Sequence, residues 1–196
     1  MLNISNEIKF KIDDVNSFIN LLRERRIVLI GGYKEKTIRY DNKDLSLEHE
    51  GKFIRVRSGI KNVISIKEKL DNNDDEDNFL KRNDIEVEVS DIKKIQYILK
   101  QIGLHETYTM EKYRLKWKYN DDVELNLDEL PFGVFLEIHG NEKDALKTSE
   151  ELGLSMKNAK KGTYWDIFEE FKKENHISPN IKNIEFGEGY SYKIAR

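Results

Sequence analysis

The 196-residue sequence has no cysteine, no long apolar run and no large excess of charge of one sign. Without Cys there are no disulfides, no thiolate nucleophile and no thiolate metal site, and the redox compartment is left open. No stretch approaches the roughly eighteen apolar residues of a membrane-spanning helix, and the opening MLNISNEIKF has no secretory pattern, so a cytoplasmic location without membrane partners is expected. Lys plus Arg total 34 and Asp plus Glu 37, a net charge of −3, which argues against a polybasic nucleic-acid binder and against a uniformly acidic disordered chain. There is also no internal repeat.

What the sequence does have is charge of both signs. Charged residues make up 36% of the chain, against roughly one quarter in an ordinary globular protein. With 38% hydrophobic residues there is still material for a core. The length suits one domain, expected over residues 1–175, followed by a tail over 176–196 that contains Pro179 and has no assigned role.

Strict alternation of apolar and charged residues, the period of a strand, runs through Glu7-Ile8-Lys9-Phe10-Lys11-Ile12. It recurs at 54–57, 64–67, 85–89, 112–119, 123–128 and 134–139, which makes at least seven short strands, expected to be antiparallel. Helical spacing appears at Val15, Phe18, Ile19 and Leu22 behind Asp13 and Asp14 as capping candidates, and at Ile92, Ile95, Leu99 and Ile102 behind Ser90-Asp91. A weaker helix is expected near 142–152. Another covers Tyr164, Ile167, Phe168 and Phe171, opened by Thr163 with Asp166 three residues on. The stretch 71–78 carries five carboxylates and no apolar residue, and reads as a solvated loop or a lid.

A single strand with one charged face is ordinarily a half-solvated strand. Here the charges are sorted by strand: Arg55 and Arg57, or Lys112, Arg114, Lys116 and Lys118, are cationic, while Glu86 and Glu88, or Glu124 and Asp128, are anionic. One-sign strands repel themselves unless an opposite strand or a charged ligand faces them. A sheet rolled into a barrel solves this, with its apolar face outward against helices and its charged face lining a water-filled interior. Such a lumen suits a polyanion together with Mg²⁺ or Mn²⁺, since Arg and Lys hold phosphate oxygens and carboxylates hold hard cations.

The order of these charged positions resembles the CYTH family, which groups class IV adenylate cyclases with thiamine triphosphatases as triphosphate tunnel metalloenzymes. The likeness is carried by Glu7 and Lys11, Tyr40-Asp41, Arg55-x-Arg57, Ile-Ser-Ile-Lys67, Glu86-x-Glu88, Lys112-x-Arg114, Leu-Asp128, Glu137-x-His139 and Lys161-Gly-Thr-Tyr164, and it covers about residues 5–172. It implies an α+β fold: a closed antiparallel tunnel of eight strands with helices packed on the outside. It also implies phosphate ligands at Lys11, Arg55, Arg57, Lys67, Lys112 and Arg114, with Lys160 or Lys161 reaching in from the last helix. Catalytic candidates are Lys67, Glu86, Glu88 and Asp128, and metal candidates are Glu7 and Glu137. The family's first strand usually reads Glu-x-Glu-x-Lys, and here the middle position is Lys9. Its late strand usually reads Glu-x-Glu, and here the second acid is His139, expected to be a hydrogen-bonded interior histidine.

Three activities follow. The first is metal-dependent hydrolysis of ATP, tripolyphosphate or thiamine triphosphate. The second is cyclisation of ATP to cyclic AMP. The third is binding alone, favoured by the Lys9 and His139 changes. A homodimer is compatible with all three.

Overall fold

The computed structural model describes residues 3–69 and 80–194, so the acidic stretch at 71–78 lies outside the described residues. The elements are β1 (Asn3–Lys11), α1 (Val15–Glu24), β2 (Val28–Asp41), α2 (Ser46–His49), β3 (Lys52–Ser58), β4 (Val63–Lys69), β5 (Leu80–Glu88), α3 (Ile92–Gln101), β6 (His105–Lys118), β7 (Glu124–Leu130), β8 (Gly133–His139), α4 (Glu142–Glu151), β9 (Ala159–Lys160) and α5 (Tyr164–Glu174). The caps fall where the sequence put them. Asp14 accepts from the Ser17 backbone N–H at 3.0 Å, Asp91 from Lys94 at 3.1 Å, and Thr163 with Asp166 forms a reciprocal capping box.

The fold is α+β, with one antiparallel sheet in the order β5-β4-β3-β2-β6-β7-β8-β1-β9 and a further pairing between β1 and β5. The sheet therefore has nine strands rather than the expected eight. The ninth exists because β1 offers one edge to two partners. Its other edge is taken by β8 from Glu7 to Lys11, so β5 pairs with Asn3–Glu7 and the two-residue β9 takes up Lys9 and Phe10 beyond it. The tail does the same for β6. Ile184 bridges Met110, with its N–H on the Thr109 carbonyl and its carbonyl accepting from Glu111, where β7 no longer covers that edge.

Alternation sorts the apolar face outward. Ile8 and Phe10 of β1, Leu115 and Trp117 of β6, Leu125 and Leu127 of β7 and Leu136 and Ile138 of β8 pack with Phe18, Ile19 and Leu22 of α1 and Ala145 of α4. A second outer cluster sets Leu99 of α3 and Leu104 on Tyr40 of β2 and Val56 of β3. Each fully buried side chain of this size is worth roughly 1.5–3 kcal/mol.

One helix departs from the expected outside position. Phe135 and Leu130 lie on the face opposite Leu136 and Leu127, and α5 packs its Tyr164, Ile167 and Phe168 onto them. The reason is local composition: this end of the charged face carries Phe135 and Leu130 in place of charge, so an amphipathic helix buries there. The long strand β2, absent from the sequence reading, pairs with β6 over nearly its whole length. Gly32 lets the two strands' side chains pack closely there: a Cβ would stand 2.6 Å from the Leu115 side chain and 2.9 Å from the Tyr113 hydroxyl, so both would have to shift.

Candidate functional site

The inward side chains of β1 to β8 line a cavity of about 540 Å³. Period two aims them: Glu7 and Lys9 project from β1, Arg55 and Arg57 from β3, Lys67 from β4, Asp84 and Glu86 from β5, Lys112 and Arg114 from β6, Glu137 and His139 from β8. Eight Lys or Arg side chains line it against six Asp or Glu, so the wall carries a net positive charge although the chain is acidic.

On the β3–β4–β5 side the cations are fanned around acids. Arg55 donates to Glu86 at 2.9 Å and through Nε to Ser65 at 2.9 Å, and Arg57 donates to both Glu86 oxygens at 3.1 and 3.2 Å. Lys67 forms an ion pair with Asp84. Burial, and then the neighbouring Arg55, push the Lys67 ammonium below its ordinary pKa. Burial opposes ionisation of Glu86, but Arg57 and Arg55 outweigh it and hold the carboxyl below its ordinary range.

The β6–β7–β8–β1 side is sealed. Arg114 donates through Nε to Asp128 at 2.6 Å, and its Nη2 serves both Asp128 and Glu137. Lys112 reaches Asp128 at 3.0 Å and Glu35 at 3.3 Å, and the Tyr164 hydroxyl closes the group with a 2.9 Å bond to Asp128. Desolvation works against the Glu35 carboxylate, yet Lys112 and Arg114 bring its pKa down to about 2. Glu137 is likewise held well below its ordinary range, Arg114 and Lys9 overcoming its burial. Burial and the Asp128 carboxylate push the Tyr164 hydroxyl well above its usual range.

The predicted residues divide accordingly. Arg55, Arg57, Lys67, Glu86, Lys112, Arg114, Glu7 and Glu137 meet in the cavity, and Asp128 lies behind it, fully buried. Lys11, Glu88, Lys160 and Lys161 do not join them. Lys11 shares the face of Glu7 and Lys9 but stands opposite Phe135, in the apolar layer capped by α5, and its half-exposed ammonium pairs with Asp13 at 3.6 Å. Glu88 lies one step outward from Glu86 and pairs with Lys61 at 2.8 Å in solvent. Lys161 is exposed in the turn before α5 and Lys160 sits in β9, and neither is among the cavity residues. Tyr40-Asp41 serves the backbone: buried Asp41 accepts from the N–H groups of Leu47 and Glu48 at 3.0 Å and starts α2.

Sequence reasoning missed Asp84, Glu35, Phe53, Tyr108 and Trp165, all of which line the cavity. Asp84 was within reach, being one step back along the Glu86–Glu88 alternation. Glu35 carried no such signal, since Lys34, Glu35, Lys36 and Thr37 present no apolar face.

Glu7, Glu137 and His139 bring donor atoms within 4.8 Å of one another, a group that could hold a metal ion. His139 is the interior histidine expected, with Nε2 at 3.1 Å from Glu137. The buried ammonium of Lys9 stands in the same place, however, bonded to Glu7 and 3.6 Å from Glu137. The donors suit an ion, but the ammonium does not.

Residues 3–164 match the family described as the CYTH domain. A Methanocaldococcus jannaschii protein provisionally named an adenylate cyclase is 29% identical over 154 residues, 74% of this chain and 83% of that one. Among solved structures, a Vibrio parahaemolyticus protein provisionally named an adenylate cyclase shares the fold at a TM-score of 0.73 and 16% identity, covering 86% of this chain and 99% of its own. A Hippeastrum protein provisionally named an adenylyl cyclase, and described as revealing a dominant triphosphatase activity, shares it at a TM-score of 0.57 and 16% identity, covering 97% and 93%. Among the described residues no helix is long and apolar enough to cross a membrane.

Proposed function

The chain belongs to the CYTH domain family, and from that premise we propose that it binds a triphosphate in the charged cavity and hydrolyses the terminal phosphoryl group. The observation that carries this reading is the convergence of Arg55, Arg57, Lys67, Lys112 and Arg114 from three strands on one cavity. Guanidinium forks match phosphate oxygens, and a linear polyanion satisfies several cations at once. The β1–β5 pairing supports a sheet rolled into an eight-strand tunnel with β9 as an accessory, which would let both walls face one ligand.

The exposed wall does the gripping. Arg55 and Arg57 exchange Glu86 for phosphate oxygens, and Lys67 exchanges Asp84. Lys67 and the two arginines then face the charge that builds on the transferring phosphoryl oxygens as water attacks in line. The bond from the terminal phosphorus to its bridging oxygen breaks, and the diphosphate end leaves with the negative charge while the water becomes part of inorganic phosphate. Glu86, kept ionised, orients that water as a hydrogen-bond acceptor. Asp128 is a positioning residue, fixing Lys112 and Arg114. Mg²⁺ or Mn²⁺ carried by the triphosphate itself would neutralise part of its charge, with Glu7 and Glu137 as the nearby carboxylates.

A second reading, cyclisation of ATP, is favoured by the name of the M. jannaschii relative. Release of phosphate, pyrophosphate and cyclic AMP should be measured from ATP, tripolyphosphate and thiamine triphosphate with Mg²⁺ or Mn²⁺. Phosphate as the main product is the expected result. Cyclic AMP with stoichiometric pyrophosphate would establish the cyclase instead, and tight binding without product would leave a binding module.

A further inference from the structure

We propose that Lys9 is the cavity's built-in counter-cation: its ammonium takes the position between Glu7 and Glu137 where a divalent ion would sit, so that the triphosphate binds without metal held by the protein. The inference rests on the triphosphate reading and adds to it that anion binding itself needs no metal.

The backbone holds Lys9 in place. Residue 9 is paired on one edge with Glu137 of β8 and on the other with Lys160 of β9, so β1 cannot slide there. Its neighbours Ile8 and Phe10 are locked in the outer core, which commits the Lys9 side chain to the cavity face. That side chain is 3% exposed. Its ammonium bonds to Glu7, lies 3.6 Å from Glu137 and stands over the Tyr164 ring, 5.5 Å from the centroid. A buried ammonium persists only where such partners replace its water.

Both carboxylates already have cationic partners. Glu7 faces Lys9, and Glu137 is shared between Arg114 and Lys9. A divalent ion placed among Glu7, Glu137 and His139 would bring two further positive charges against an ammonium bonded to its own ligand. Mg²⁺ in particular favours oxygen ligands in octahedral array, which two carboxylates already committed to cations supply poorly. An ammonium, by contrast, donates hydrogen bonds and lowers the potential felt by a phosphate without a coordination sphere.

Two measurements test this. Calorimetric titration of the full chain with tripolyphosphate should give a dissociation constant in EDTA within about threefold of that in excess Mg²⁺. Lys9→Gln should weaken binding in EDTA by about tenfold or more, the loss of one charged hydrogen bond. Mn²⁺ alone, followed by the electron paramagnetic resonance of the free ion, should stay unbound by the unmodified protein at micromolar concentration; this arm needs no variant to fold. Tripolyphosphate bound only when Mg²⁺ is present, or tight Mn²⁺ uptake by the unmodified protein, would overturn the inference while leaving the triphosphate reading intact. No tripolyphosphate binding under either condition would overturn both.

Discussion

The two walls of the cavity carry similar residues in different circumstances. On β3 the Arg55 and Arg57 side chains are 19% and 23% exposed and share one acid, Glu86, that is itself 36% exposed. On β6 Lys112 and Arg114 are 7% and 10% exposed and converge on Asp128, which water does not reach at all. Ion pairs open to water are weak and readily exchanged, whereas a buried charge is expensive to leave alone. The same two residue types therefore do two jobs. On the proposed reading the first wall trades its carboxylates for a ligand, while the second is a fixed network of buried ion pairs that also ties the sheet to α5 through Tyr164.

The comparison breaks most visibly at Arg114. Replacing it with Met leaves Asp128 and Glu137 buried without their main partner, and stability should fall by about 3–5 kcal/mol in urea denaturation. A loss below about 1 kcal/mol would mean that the second wall is not structural.

Acid should act on the same wall. The Glu35 carboxyl is depressed from 4.5 to about 2, so it contributes stability that is fully present above the unfolded value and is lost as the pH falls from about 4.5 through about 2. That difference corresponds to something on the order of 3 kcal/mol. Urea denaturation at pH 5 and pH 3 should show the decline, and Glu35→Gln should flatten it. An equally steep decline in the variant would assign the loss to other groups.

The smallest effect on folding belongs to the first wall. Arg57→Ala should change stability by less than about 1 kcal/mol, in keeping with a half-open ion pair, but weaken tripolyphosphate binding by about 1.5–3 kcal/mol. Unchanged affinity by calorimetry would remove Arg57 from the ligand's reach.

Much of this was legible in the residues, because strand period and helix caps are local. The alternation through Glu7-Lys9-Lys11 gave the correct face of β1, and Asp14, Asp91 and Thr163 marked three helix starts. The pattern was silent on depth. Period two tells which face a side chain takes but not what stands across from it, so the sequence does not separate Lys11, which faces Phe135, from Lys9, which faces Glu137. Nor does the apolar stripe of α5 specify which face of the sheet it covers; that depends on Phe135 and Leu130 interrupting the charged face. β2 is hidden because Gly31-Gly32 imitates a turn, although Gly32 lies within the strand against the Leu115 and Tyr113 side chains. β9 has two residues, too few for any period to register.

The central claim, that the two charged walls enclose a triphosphate site, is tested most directly by a crystal structure of the protein with tripolyphosphate. The account predicts phosphate oxygens within about 3 Å of the Arg55 and Arg57 guanidinium groups, with Glu86 displaced from at least one of them and Lys112 and Arg114 still on Asp128. Tripolyphosphate found only on the outer surface, with the Glu86 pairs intact in the cavity, would contradict it.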